Sequence, residues 1–208
     1  MRLVVFGANG GVGREIVGQA LAQGHDVTSA VRAASAWDGT LGGQVAVCDV
    51  TDAGAVERTV KGHDAVICTL GVKGKGPISL YSTGARNIIA GMEAHRVRRL
   101  LFLSNFGILN ERGQGFGQSM LLLMIKRALR HTLADHRAAL NVLQRSGVGW
   151  TAVRALALSN GPRTGRYRLT KDDLPANGTR IARADVAHFM LDEAQRGAFM
   201  NCAPAIAY

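Results

Sequence analysis

The chain has 208 residues, 47% of them hydrophobic and 19% charged, a balance that suits one compact domain with a full core and excludes a disordered chain. It carries 25 Lys and Arg against 15 Asp and Glu, a formal charge of +10. The surplus is concentrated, with 14 basic and 2 acidic side chains in residues 95–171 and eight of each in residues 1–94, so a basic surface facing an anionic partner is expected: nucleic acid, a phosphorylated or carboxylated small molecule, or a membrane.

Leu3–Phe6 is an apolar strand that Gly7 ends after four residues, too short for the core of a signal peptide, so export by such a signal is not expected. The strand runs into Gly7-Ala8-Asn9-Gly10-Gly11-Val12-Gly13 and then a helix over Gly11–Gln23. Glycines at 7, 10 and 13 between a strand and a helix are the context of a dinucleotide-binding turn. Gly7 permits the tight turn, Gly10 lets the backbone approach a pyrophosphate, and Gly13 lets the helix lie close to the strand. The helix dipole and the N–H groups at Gly11 and Val12 then hold the anion. The spacing is GxxGxxG, where the standard fingerprint is GxGxxG.

A second strand, Asp26–Val31, ends where an acid about 20 residues past the glycines would hold the ribose 2′-hydroxyl of NAD. No acid lies between Asp26 and Asp38, and Arg32 stands in that place. A guanidinium complements the 2′-phosphate of NADP and favours it by roughly tenfold to a hundredfold, with Ser29 and Ser35 as further hydroxyls for the same phosphate. The third strand, Gln44–Cys48, leads to Asp49 and Val50, candidates to flank the adenine, and to a helix over Asp52–Lys61 with Thr51 as its N-cap. The fourth strand, Ala65–Leu70, delivers Leu70, Gly71 and Val72 to the pyrophosphate and nicotinamide ribose. A helix over Ser82–His95, N-capped by Ser82, precedes a fifth strand, Leu100–Ser104. There Ser104 and Asn105 are candidates to hydrogen-bond an acceptor carbonyl, or to cap the following loop, and Ser104 is also a candidate cofactor-binding residue. One long helix over about Gln118–Arg145 and a sixth strand, Thr151–Val153, complete the alternation. Gly24 and Gly62 fall where left-handed helix ends are expected.

These six strands are rich in Val, Leu and Ile without two-residue alternation, and read as buried on both faces. Strand and helix alternating in this way predict an α/β fold, a Rossmann-like doubly wound parallel sheet formed by a single domain over residues 1–208. Residues 155–182 read as a substrate cap over the carboxyl ends of the sheet. The cap has strand candidates at Tyr167–Leu169 and Thr179–Ala182, taken as a hairpin, and a closing helix follows over Ala184–Gln195.

Other chemistry is disfavoured by spacing. Three cysteines with no CxxC predict neither a disulfide framework nor a zinc site and suit a reducing cytoplasm, with Cys48 and Cys68 as buried strand residues. His131 and His136, five residues apart, fall on different helix faces and do not make a metal pair. The run Met120–Ile125 stops far short of the ~20 apolar residues that a membrane span needs. The basic stretch includes Arg99, Arg137, Arg163, Arg166, Arg168 and Lys171 and has few interleaved aromatics, which disfavours a single-stranded nucleic-acid platform. Met120–Ile125, with Leu129, Leu133, Leu140 and Leu143, is read as mostly core, with surplus apolar surface for a homodimer seam along residues 118–145.

The chain resembles the atypical short-chain dehydrogenase/reductases, in particular the small NmrA-like NAD(P)-binding group that includes biliverdin-IXβ reductase/flavin reductase. The resemblance rests on Phe6–Gly13, Thr28–Arg32, Gly62–Ile67, Ser82–Ile89, Leu143–Val148, Thr164–Tyr167 and Asp185–Met190. GxxGxxG is the usual glycine pattern of that group, and the resemblance implies NADP(H) binding with Arg32 in the role argued above. The chain departs from the group in its catalytic residues. The Tyr-x-x-x-Lys pair of the broader family has its only counterpart in Tyr167…Lys171, beyond the sixth strand and out of context. The Ser of the flavin reductases aligns with Asn105, one residue after Ser104, and their His aligns with Ala157. The expected activity is hydride transfer from NADPH to a small planar acceptor such as a quinone or flavin, whose reduced anion water can protonate. The alternative is a non-catalytic NADP(H)-sensing regulator of the NmrA-like kind.

Overall fold

The computed structural model describes residues 1–33, 37, 42–72, 76–109, 111 and 116–208, and of 116–119, 121 and 122 only the backbone. In chain order the elements are β1 (Arg2–Phe6), α1 (Gly11–Ala22), β2 (Asp26–Val31), β3 (Gln44–Val47), α2 (Ala53–Val60), β4 (Ala65–Cys68), α3 (Leu80–Ala94) and β5 (Arg99–Asn105). There follow α4 (Phe116–Ala128), α5 (Arg130–Gln144), β6 (Gly149–Ala155), β7 (Ala157–Ser159), β8 (Arg168–Thr170), β9 (Arg180–Ala182), α6 (Arg183–Arg196) and β10 (Ala205–Ala207). The main sheet runs β3-β2-β1-β4-β5-β6-β10-β8. Every pairing in it is parallel except the outermost, β8 against β10. This is the doubly wound Rossmann-like arrangement, with the strand order reversing between β1 and β4.

Two apolar layers cover the sheet. Helices α2, α3 and α5 enclose Val4, Phe6, Ile88, Met92, Leu100 and Leu143 on one face. On the other, α1 and α6 enclose Leu3, Val5, Ile16, Ile67, Leu101 and Met190. The central strands are buried along their length, whereas β3, paired only to β2, leaves Val45 44% and Val47 61% exposed. The expectation that all six strands are covered on both faces therefore fails at this edge.

Tertiary contacts moved several boundaries. The helix expected over 118–145 is two helices parted at Leu129. On α4, Met120, Leu123 and Met124 are exposed, as is Leu129, and among the described side chains of that series Leu133, Leu140 and Leu143 are core. Thr51 is not an N-cap. Asp52 caps α2 by accepting from the Ala55 N–H at 3.0 Å. Ser82 lies inside α3, whose first turn is capped from a distance: Asp135 on α5 accepts the N–H groups of Tyr81 at 2.8 Å and Ser82 at 3.2 Å. The expected hairpin does not form, because β8 pairs with β10 and β9 pairs in parallel with β7. Gly24 and Gly62 do take left-handed φ values of 76° and 82°.

Two arginines of the basic stretch are interior. Arg154, at the carboxyl end of β6, is fully buried, and its Nη1 donates to Glu111 Oε1 at 2.6 Å. Its other nitrogens donate to the carbonyls of Ala203, Lys171 and Asp172. Arg99 donates to Glu193 on α6 at 2.7 Å. A buried ion pair adds little beyond an apolar alternative, but removing one partner strands the other charge. Glu111→Gln should therefore lower the unfolding free energy by about 3–5 kcal/mol in urea titrations at neutral pH.

Candidate functional site

Because the sheet is parallel, the ends of β1, β2, β3, β4 and β5 all open on one edge, and the glycine turn lies at the β1/β4 reversal, where such sheets bind ligands. Gly7 has φ 78°, and a Cβ there would lie 2.5 Å from the Thr69 carbonyl oxygen. A Cβ on Gly13 would lie 2.2 Å from the Gly7 carbonyl oxygen, so α1 packs directly on the turn, as the glycine spacing implied. The Gly10 N–H donates to the Gly7 carbonyl at 2.9 Å. Thr69 Oγ1 donates toward the Phe6 and Gly7 carbonyls, tying the end of β4 to the same turn. Asn9, Gly10 and Gly11 are exposed along the rim of this cradle, while Val12 and Gly13 are buried beneath it. Arg14 donates to Asn9 Oδ1 at 2.6 Å and its guanidinium lies 5.7 Å from the centre of the Trp37 ring. Side chains at positions 7 and 13 would destroy this cradle, and an acid-free helix start faces its rim, so the residues present fit the pyrophosphate of a nicotinamide dinucleotide.

Arg32 is exposed just beyond the carboxyl end of β2. Ser29 is buried, with no hydrogen-bond partner for its hydroxyl among the described residues, and is not presented at the surface beside Arg32. Ser35 lies outside the described residues. Asp49 accepts from the N–H and hydroxyl of Thr51 at 2.9 and 2.7 Å. Those bonds, with a smaller contribution from the charge of Arg32, hold its carboxyl below the usual range. Val50 and Leu70 have side chains against Gly84 of α3, which leaves their backbones at the sheet edge. Gly71 is exposed with open space around it, and Val72 packs on the core.

Ser104 is the penultimate residue of β5, with its side chain inward, and its Oγ lies 3.2 Å from His136 Nδ1. Tyr81 stacks on His136 at 3.7 Å between ring centres, and the edge of Phe102 closes another side. Burial pushes the imidazole down to about 4, opposed only in part by the neighbouring Asp135 carboxylate. The pair thus sets a buried hydroxyl beside a neutral imidazole. Asn105 is half-buried one residue on. Sequence reasoning saw His136 only as half of a rejected metal pair; its 32-residue separation from Ser104 carries no spacing signal, and the fold alone joins them. Tyr167 is engaged elsewhere. Its hydroxyl lies 2.8 Å from His188 Nδ1, and burial raises it to about 12, so it is not half of a Tyr-x-x-x-Lys pair.

The segment after β7 is tied to α6 and to the C-terminus by Asp185. Its carboxylate accepts from the Thr164 N–H and hydroxyl, the Gly165 N–H and the Tyr208 hydroxyl, all at 2.6–2.9 Å. Burial would raise its pKa, but these bonds outweigh it and hold the carboxyl low. Arg163 and Arg166 are exposed on this segment. Arg168 donates to the carbonyls of Ala176 and Tyr208, and Arg137 to those of Gly107 and Ile108, which fixes both side chains in place while they stay exposed and charged. No group of three or more His, Cys, Asp or Glu among the described residues could hold a metal ion, and no described helix is long and apolar enough to cross a membrane.

Residues 7–196 match the family described as NAD(P)H-binding. YwnB of Bacillus subtilis (strain 168), an uncharacterized protein, is 27% identical over 207 residues, covering 97% of this chain and 95% of its own. A Burkholderia pseudomallei crystal structure, of a protein named as exported, superposes with a TM-score of 0.85 at 26% identity, covering 100% of both chains. The structure of ChuY, an anaerobillin reductase from Escherichia coli O157:H7, shares the fold with a TM-score of 0.81 at 24% identity, covering 100% of this chain and 97% of its own.

The low affinity of His136 for protons has a consequence for stability. The unfolded chain protonates this residue near its ordinary value of 6.5, whereas the folded chain resists to about 4. Between those values the unfolded state binds more protons, so stability from this group is full above pH 6.5 and is lost as pH falls toward 4, by about 3 kcal/mol in all. Urea titrations across this window should show that loss in the native chain, and a shallower one in His136→Gln.

Proposed function

Since the chain belongs to the NAD(P)H-binding family, we propose that it is an NADPH-dependent reductase passing hydride to a small planar acceptor of quinone or flavin type. The observation that carries this reading is the Ser104 hydroxyl, at the carboxyl end of β5 beside the glycine cradle and held by His136.

NADPH, when bound, supplies the hydride. The chain's own work is to bind and orient. The glycine turn and the start of α1 offer N–H groups to the pyrophosphate. Arg32, with no carboxylate in the place where NAD-selective sites have one, favours the 2′-phosphate. At the reacting end His136 in its Nδ1–H tautomer donates to Ser104 Oγ, which frees the Ser104 hydroxyl proton to donate to the acceptor's carbonyl oxygen. A hydrogen-bond donor already aimed at developing negative charge is worth about 10²–10³ in rate. The chain's one Tyr-x-x-x-Lys spacing, Tyr167…Lys171, lies elsewhere, which favours acceptors whose reduced anions water can protonate, above simple ketones. The exposed Arg163 and Arg166 suit an acceptor with anionic substituents. Three free cysteines, Cys48 and Cys68 among them buried, support a reducing cytoplasm as its compartment.

Aerobic NADPH oxidation with a quinone and flavin panel tests the reading. Turnover on at least one acceptor is expected, with kcat about 10²-fold lower in Ser104→Ala and NADPH affinity nearly unchanged. Tight NADPH binding with no turnover on any acceptor would overturn it in favour of an NADP(H)-sensing regulator. Arg32→Ala should weaken NADPH by roughly tenfold to a hundredfold while sparing NADH; equal losses would remove Arg32 from the site.

A further inference from the structure

Arg183, the first residue of α6, lies 172 positions from the glycine turn in sequence and directly against it in space. A Cβ built on Gly11 would lie 2.7 Å from both Cδ and Nε of Arg183 and 3.7 Å from Cζ. The arginine side chain therefore occupies the place where any other residue at position 11 would put its own, over the exposed first residue of α1. Its far end is fixed too, since Nη1 donates to Asn160 Oδ1 at 2.5 Å. Its helix is anchored as well: Gln19 on α1 donates to the Ala184 carbonyl at 2.9 Å. The arginine is thus held at the turn from several sides.

Its electrostatic setting is one-sided. A helix N-terminus carries partial positive charge and disfavours a cation beside it. The first turn of α1 holds no acid, and no carboxylate among the described residues pairs with Arg183. Its neighbour Asp185 already accepts from Thr164, Gly165 and Tyr208. A guanidinium pinned over the positive end of a helix, with Arg14 one turn further along, leaves a gap in charge that a dianion would fill. We propose that Arg183 is the clamp on the cofactor's pyrophosphate, closing over it from α6 while the N–H groups of the glycine turn hold it from below. Arginine suits this task because its planar fork matches phosphate oxygens in pairs. Gly11 has its own part in the clamp, as the space through which the Arg183 stem passes. Through Asn160 the clamp also joins the cofactor end of the site to the segment after β7.

This inference rests on dinucleotide binding and not on the nature of the acceptor, so it is tested by binding. NADPH, NADH, ADP-ribose and 2′-AMP are titrated against the full chain, by calorimetry or by competition with NADPH fluorescence. Arg183→Ala should weaken the first three, which contain the pyrophosphate, by a similar factor of about tenfold, and leave 2′-AMP unchanged. Arg32→Ala should show the opposite pattern, sparing NADH and ADP-ribose. Gly11→Ala keeps the arginine but expels it, on a backbone that accepts alanine and in a helix that alanine favours. It should match Arg183→Ala without loss of thermal stability, and the double variant should be no weaker than either single one. Arg183→Ala binding NADPH and ADP-ribose within twofold of the native chain would overturn the clamp, as would an equal loss for 2′-AMP. A native chain that binds no dinucleotide would overturn the cofactor reading itself, a distinct result.

Discussion

Helix α1 sits so close to the strand before it that the Gly13 Cα hydrogens almost touch the Gly7 carbonyl, with no room for a methyl group on either glycine. That approach sets the geometry of everything on the ligand-binding edge. It aims the N-terminus of α1 into the crevice between β1 and β4, and the Thr69 hydroxyl pins the end of β4 to the same carbonyls. Once those two strands and that helix are placed, the ends of β2 and β5 can lie only on either side. Arg32 and Ser104 therefore flank one cradle although 72 residues separate them.

The charge of the chain is distributed less simply than its count suggests. The only acids of residues 95–171, Glu111 and Asp135, are both buried. Glu111 neutralises the interior Arg154, and Asp135 caps α3 beside His136. Their engagement inside leaves the outer face of this half more uniformly basic. Yet Arg99 and Arg154 are themselves interior, and Arg137 and Arg168 are committed to backbone carbonyls. Part of the surplus is thus structural: long cationic side chains collect carbonyls that loops leave unpaired. This holds the segments around the sheet edge in place, and a charge count cannot separate such residues from ligand-facing ones.

Legibility followed the range of the interactions. The strand-helix alternation, the Gly7-Gly10-Gly13 turn and the Gly24 and Gly62 helix ends were readable because each depends on neighbours within a few residues. Strand β10, only Ala-Ile-Ala, carries no local signal and exists because β6 and β8 both pair with it. The two misplaced caps fail for the same reason, most plainly at α3, whose capping carboxylate arrives from α5 more than 50 residues later. In the site, Arg32 stood out by the absence of an acid. His136 was visible only as a histidine, since nothing local couples it to Ser104. Arg183 was hidden by its distance of 172 positions from Gly11.

By itself, then, the sequence determined the fold class and the glycine turn, because glycine sterics and apolar periodicity act over short stretches of chain. Tertiary structure decided which polar groups meet: His136 with Ser104, Glu111 with Arg154, Arg183 with Gly11. Those pairings depend on which helix packs on which face of the sheet, and burial then assigns their character. The same imidazole that would titrate near neutrality in water is kept neutral at Ser104 by the apolar walls around it. The basic surplus is likewise divided by packing between interior ion pairs and an outer face, a division that residue counting along the chain could not make.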